Sequence, residues 1–189
     1  MNLVVRRAQL SDVARIVEHF FRQADESGKG GSPHFGPPPA LSPSECIQRL
    51  AEGLGRSLDE PGWERTFLLV QPAMHPLDVE KIVGHGELRA DGMPSRSHRA
   101  QLGMGIERAY TRQGHGARLL GSLLIFALQD TRLDWIDLGV FEPNLPAQKL
   151  YRRFGFVETG RVEDMFRLGE GVSVGDIQMT LRLSREPAR

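Results

Sequence analysis

The sequence predicts one α/β domain of the α+β type, a mixed and mostly antiparallel sheet flanked by helices, over residues 1–189. Three observations predict it. Strand-like runs alternate with apolar residues at three- and four-residue steps. The order runs strand, two helices, a meander of strands, then helix, strand, helix and closing strands, which fits a mixed sheet with helices packed on it. No Pro/Gly/Ser-rich linker divides the chain, and 189 residues suffice for one real core.

Leu3 to Arg7 reads as a short strand. Ser11 or Asp12 then caps a helix with Val13, Ile16, Val17, Phe20, Phe21 and Ala24 on its apolar face. Gly28 to Pro43, with Gly30-Gly31 and Pro37-Pro38-Pro39, breaks the period and reads as a loop, either functional or a plain connector. Ser42-Pro43-Ser44-Glu45 is written as a capping box with proline at the first helical position. Ile47, Leu50, Leu54 and Leu58 continue that helix, and Pro61-Gly62 ends it. Thr66 to Val70 and Lys81 to Arg89 form an expected hairpin, followed by a strand from His98 to Glu107.

Arg112 to Asp130 is an expected long helix with Leu119, Leu120, Leu123, Leu124, Ala127 and Leu128 inward. Trp135 to Phe141 is a strand and Pro146 to Phe154 a short helix. Phe156 to Arg161 and Asp176 to Leu183 close the domain as strands.

Composition narrows the function. The 24 basic and 24 acidic residues cancel, which argues against a nucleic-acid footprint across the protein. No run approaches the ~18 apolar residues of a membrane span, so no membrane partner is expected. Met1 to Leu10 holds two arginines and no signal-peptide apolar run. The single cysteine, Cys46, excludes an internal disulfide, and a reducing, cytoplasmic setting is expected. The six histidines show no zinc spacing, so no metal is expected.

The segment Leu102 to Ala117 carries the first chemistry. It reads as a strand, a tight turn at Gly114 and Gly116, and a helix start. Such a turn lets a ligand approach the backbone, and helix N-terminal amides favour an anion such as pyrophosphate. It is not a P-loop, and Gly114-His115-Gly116-Ala117-Arg118-Leu119 fails the Rossmann pattern at its last place. A glycine turn with no ligand is the bland alternative. The G-x-S-x-G elbow of serine hydrolases is absent.

The second segment is Val140 to Phe156. Its Asn144, Ala147, Leu150, Tyr151, Gly155 and Phe156 match N-x-x-A-x-x-L-Y-x-x-x-G-F. Together the two segments resemble motifs A and B of the GCN5-related N-acetyltransferase (GNAT) superfamily. Two departures stand out in motif A. Thr111 occupies the [QR] place, and Arg112 stands where many members have glycine.

The resemblance implies a GNAT fold with splayed central strands and acetyl-CoA as cosubstrate. Backbone amides of Gln113, Gly114, His115, Gly116 and Ala117, with Arg112 beside them, would hold the pyrophosphate. The edge of Met104, Gly105 and Ile106 would pair with pantetheine on a strand carrying a bulge, and one N–H there would face the developing oxyanion. Asn144 would contact the coenzyme or cap its helix, with Ala147 beside it. Tyr151 is the expected acid for the leaving thiolate, against the alternative of a ring packed beside Leu150. The places where some members carry a base fall on Gln101 and Gly139. Glu87, Glu107 and Asp137 remain, with His85 and His98 weaker; Glu87 is favoured because a central strand carries it. His115 is expected to point outward.

The implied activity is acetyl transfer to a primary amine of a small molecule or peptide, by direct attack in a ternary complex. Cys46 lies away from both motifs, in keeping with no covalent intermediate. The rival is a non-catalytic acyl-CoA-binding sensor. A homodimer is the oligomer that the resemblance suggests, and the loop from Gly28 to Pro43 is the expected cover of the acceptor site.

Overall fold

The structure, a computed structural model, describes residues 2–29, 33–34, 41–75, 78–129, 132–168 and 172–184. Its elements are β1 (Val4–Arg7), α1 (Val13–Glu26), α2 (Pro43–Gly55), β2 (Glu64–Gln71), β3 (Lys81–Ala90), β4 (Arg99–Ile106), α3 (His115–Gln129), β5 (Trp135–Phe141), α4 (Leu145–Arg153), β6 (Val157–Arg167) and β7 (Ser173–Arg182). The seven strands form one sheet in the order β1-β2-β3-β4-β5-β7-β6. Every pairing is antiparallel except β4 with β5. The expected mixed, mostly antiparallel sheet is therefore present.

The two faces of the sheet have different helices. Val13, Ile16, Val17 and Leu50 of α1 and α2 pack on Leu68, Val70 and Ile82. On the other face Leu120, Leu123 and Ala127 of α3 join Leu88, Leu102, Ile136 and Leu138. Alternation along a strand sends successive side chains to opposite faces. A Cβ at Gly86 would meet Leu123 and Leu119 of α3, so its neighbours His85 and Glu87 face α1 and α2.

Several local expectations are corrected. The carboxylate of Asp12 accepts from the Gln9 N–H at 2.8 Å and closes a 3-10 turn before α1, rather than capping α1 itself. Ser42 does cap α2 through Glu45, but that helix stops at Gly55, and Leu58 packs on the α3-side core instead. α3 starts at His115, not Arg112, because Arg112 (φ 59°) and Gly114 (φ 82°) take left-handed backbone that interrupts a helix. Leu128 is exposed. The β3–β4 register runs without a shift, so the expected bulge is not in that ladder; the irregularity lies between β2 and β3 at Leu69/Val70. Residues 30–32 and 35–40, most of the expected loop, lie outside the described residues.

Candidate functional site

The site begins where the sheet opens. β4 and β5 pair only from Arg99 to Gln101 against Trp135 to Asp137. Beyond them β4 stays bonded to β3 as far as Ile106, while its other edge has no ladder partner. Met104, Gly105 and Ile106 lie on that edge. The splay thus arises without a bulge in β4.

The glycine turn lies beside this opening. A Cβ at Gly116 would stand 3.2 Å from Leu150 of α4 and 3.7 Å from Ile106 of β4, so turn, strand and helix converge there. The Arg118 N–H bonds the Gly114 carbonyl, leaving the amides of His115, Gly116 and Ala117 in the first turn, with no carbonyl inside the helix to meet them. A Cβ at Gly114 would meet nothing within 4 Å, which leaves an open approach to the backbone. These features fit a pyrophosphate cradle. Gln113 and Arg112 are exposed at its rim. His115 does not point outward as expected: it is half-buried, and its Nδ1 is enclosed without a hydrogen-bond partner. Asn144 caps α4, its Oδ1 accepting the Ala147 N–H at 3.3 Å.

Cross-strand register fixes the face toward α1 and α2. Glu87 stands opposite Thr66 on β2 and Gly103 on β4. Its carboxyl lies over Gly103, where a Cβ would overlap Oε1. Glu87 is buried, and its Oε2 has no hydrogen-bond partner among the described residues. Burial, against the pull of the Arg89 charge, pushes its pKa up to about 7. Tyr151 is also buried, and its ring packs 5.7 Å from that of Phe156. Burial first, and then the charge of Glu87, raises the Tyr151 phenol further above its ordinary range. The two residues therefore share one electrostatic environment.

The other candidate bases are engaged. Asp137 receives Arg99 Nε at 2.7 Å and the Thr180 hydroxyl at 2.7 Å. Glu107 receives His19, Arg22 and Lys81 at 3.1, 3.0 and 3.0 Å. Burial alone would raise Glu107, but these hydrogen bonds outweigh it and bring the pKa down to about 2. His98 and Gln101 are exposed.

Sequence reasoning missed four polar residues on this face. His19 and Gln23 of α1 are fully buried, and the Gln23 amide lies over Gly105 without a hydrogen-bond partner. Asp176 of β7 is buried, and its carboxylate lies 2.8 Å from where a Gly139 Cβ would stand. Glu64 of β2 is raised by burial. The available signal was on α1, where His19 and Gln23 follow Ile16 at three- and seven-residue steps and so share its inward face.

On the same face, a cleft of about 430 Å³ opens between α2 and the strands. Arg49, Arg89, Glu64, Gln101, Arg99 and Asp137 are among its lining. Arg99 is held by Asp137, whereas Arg89 is half-exposed with Glu87 Oε1 at 3.9 Å.

Comparison with known proteins agrees with this geometry. An L-amino acid N-acetyltransferase of Escherichia coli K12 is 32% identical over 75 residues, 40% of this chain and 46% of that relative. The chain thus spans about half the length of that relative. An acetyltransferase of the GNAT family from Streptococcus pneumoniae superposes with a TM-score of 0.78 at 24% identity, covering 96% of this chain and 99% of that one. A Salmonella typhimurium structure containing acetyl-CoA as its cofactor gives 0.73 at 15% identity, over 100% and 98% of the two chains. A Vibrio cholerae spermidine N-acetyltransferase in complex with CoA and spermine gives 0.71 at 20%, over 96% and 95%. At these identities the structures speak to the fold. The family profile itself spans residues 47–156, from α2 through the splayed strands and glycine turn to α4, and by that match the chain belongs to the acetyltransferase (GNAT) family.

Proposed function

We propose that this chain is an acetyl-CoA-dependent N-acetyltransferase acting on a primary amine by direct attack in a ternary complex. The observation that carries the reading is the buried Glu87 carboxyl, its Oε2 without a partner, beside the opened edge of β4. Family membership and the cradle at Gly114 to Ala117 support it.

Acetyl-CoA supplies an activated acyl carbon. The amides of His115, Gly116 and Ala117 hold its pyrophosphate at the α3 N-terminus. The exposed edge of Met104 to Ile106 aligns the pantetheine as an added strand. A β4 N–H stabilises charge on the carbonyl oxygen. Glu87 takes the proton of the attacking amine as the C–N bond forms, and Tyr151 gives a proton to sulfur as the C–S bond breaks. Arg112, at the rim, meets the phosphates. Cys46 takes no part: it packs in the α1–α2 core with its thiol toward the Leu41 carbonyl.

The acceptor is a small amine that also carries a carboxylate. Arg89 and Arg49 open on the cleft, two residues along the same face from Glu87 in the case of Arg89. An α-amino acid places its two charges at that kind of spacing, and the Escherichia coli relative bears that substrate class in its name.

The test pairs calorimetry with turnover. Acetyl-CoA is titrated into wild type and into the Gly114→Asp, Gly116→Asp double variant, and wild type is assayed over amino acids, polyamines and peptides. Binding lost in the folded variant, with turnover favouring amino acids, supports the reading. Binding without turnover on any amine replaces it by a coenzyme-binding module. No binding to wild type overturns it.

A further inference from the structure

A line of buried titratable groups runs from Glu87 to the rim of α1. Glu87 Oε2 is 3.5 Å from His85 Nε2. His85 Nδ1 is 3.1 Å from His19 Nε2, and His19 Nδ1 is 3.1 Å from Glu107 Oε1. All four residues are buried, and the Phe20 ring lies 4.5 Å from that of His85.

Proton counting orders the line. Glu107 also receives Arg22 and Lys81, so it is a carboxylate that can only accept. His19 must then donate from Nδ1. Burial disfavours a charge on His19, although Glu107 pulls the other way, so its Nε2 is unprotonated and accepts. His85 must therefore donate from Nδ1. Burial, His19 and Arg89 all disfavour a charged His85, which leaves its Nε2 without a proton and turned toward Glu87.

We propose that Glu107 and His19 lock His85 in the Nδ1-protonated tautomer, and that His85 acts as a positioning residue withholding a hydrogen bond from the Glu87 carboxylate. The inference rests on Glu87 being the base. A donor at His85 Nε2 would stabilise ionised Glu87 and make it a weaker base. An acceptor there does the reverse: it leaves the carboxylate for the amine and receives the proton's hydrogen bond once Glu87 is protonated. The other charged groups facing Glu87 are Arg89 on its own strand, Glu64 on β2 and the Tyr151 phenol on α4. Those facing His19 are Arg22, Glu26 and Glu107.

Two measurements test this on the full chain. Imidazole ¹⁵N spectra of wild type at neutral pH should show both His19 and His85 as neutral Nδ1–H tautomers, with the His85 signal following the ionisation of Glu87. Glu87→Gln should abolish that inflection. An Nε2–H tautomer of His85 in wild type overturns the proposal, and this readout needs no turnover, so it stands apart from the acetyl-transfer reading. In kinetics, His19→Phe frees His85 to switch tautomer and donate to Glu87. The acid limb of the kcat profile should then move down by more than about half a pH unit, with the acetyl-CoA KM unchanged. His19→Gln, whose amide oxygen can accept from His85, should restore it. An acid limb unmoved in His19→Phe overturns the proposal.

Discussion

Glu87 and Gly103 act as a pair across β3 and β4, and each predicts a result. Replacing Glu87 by Gln keeps shape and burial but removes the base, so kcat should fall by roughly 10²-fold or more. Acetyl-CoA binding by calorimetry should be unchanged. Gly103→Ala would overlap only the end of the flexible Glu87 side chain, so the protein should fold while the carboxylate is displaced and kcat drops. Because burial lifts Glu87 to about 7, activity should rise as pH climbs through that value and be lost below it. A pH profile of kcat checks this. Glu87 was readable in the sequence as an acid on a central strand. His19 was not, because its partners His85 and Glu107 lie 66 and 88 residues away.

At the scale of elements, α2 and α3 show what local code conveys. Ser42 and Glu45 satisfy each other's backbone amides, as the capping box foretells: Ser42 N–H to Glu45 Oε2 at 2.8 Å and Glu45 N–H to Ser42 Oγ at 3.3 Å. Ser42→Ala should cost about 1 kcal/mol in chemical denaturation. Cys46→Ala in the same helix should leave turnover intact, since the thiol belongs to the α1–α2 packing. The start of α3 was misplaced by three residues because periodicity does not register the positive φ of Arg112. That conformation also gives the physical reason for the glycine common at this place in relatives, since a side chain there is strained.

Across the whole molecule, a buried carboxylate ties the first strand to the sheet's far turn. Arg6 of β1 donates to Asp12 at 2.7 and 2.8 Å and also to Glu80 beside β3, while Arg15 reaches Asp12 from α1. The Arg6 hydrogen bond outweighs burial and holds Asp12 at about 2, below its ordinary 3.8. Glu107 is likewise held at about 2 against an ordinary 4.5. Both groups stabilise the fold above their ordinary values and lose that contribution as pH falls toward 2. Glu87 has the opposite sign: its raised pKa makes the folded state the better proton binder between 4.5 and about 7, so its contribution weakens as pH rises through that window. Asp12→Asn should lower stability by about 2 kcal/mol at neutral pH and flatten the loss of melting temperature below pH 4.

The sequence by itself determined the element order, the antiparallel hairpin of β2 and β3, the capping of α2, the glycine turn before α3 and the α4 segment that follows β5. These are local: periodicity, cap chemistry and glycine placement act within a few residues. Only the tertiary structure decided where β4 parts from β5, which carboxylates are consumed by ion pairs, and which one keeps an oxygen without a partner. Glu107, Asp137 and Glu87 are alike as letters in the chain. They are separated by Lys81, Arg22 and Arg99, cations brought beside the first two from other elements, and by the burial of the third without such a hydrogen bond. Desolvation and long-range pairing set their proton affinities, and neither is written in the neighbouring sequence.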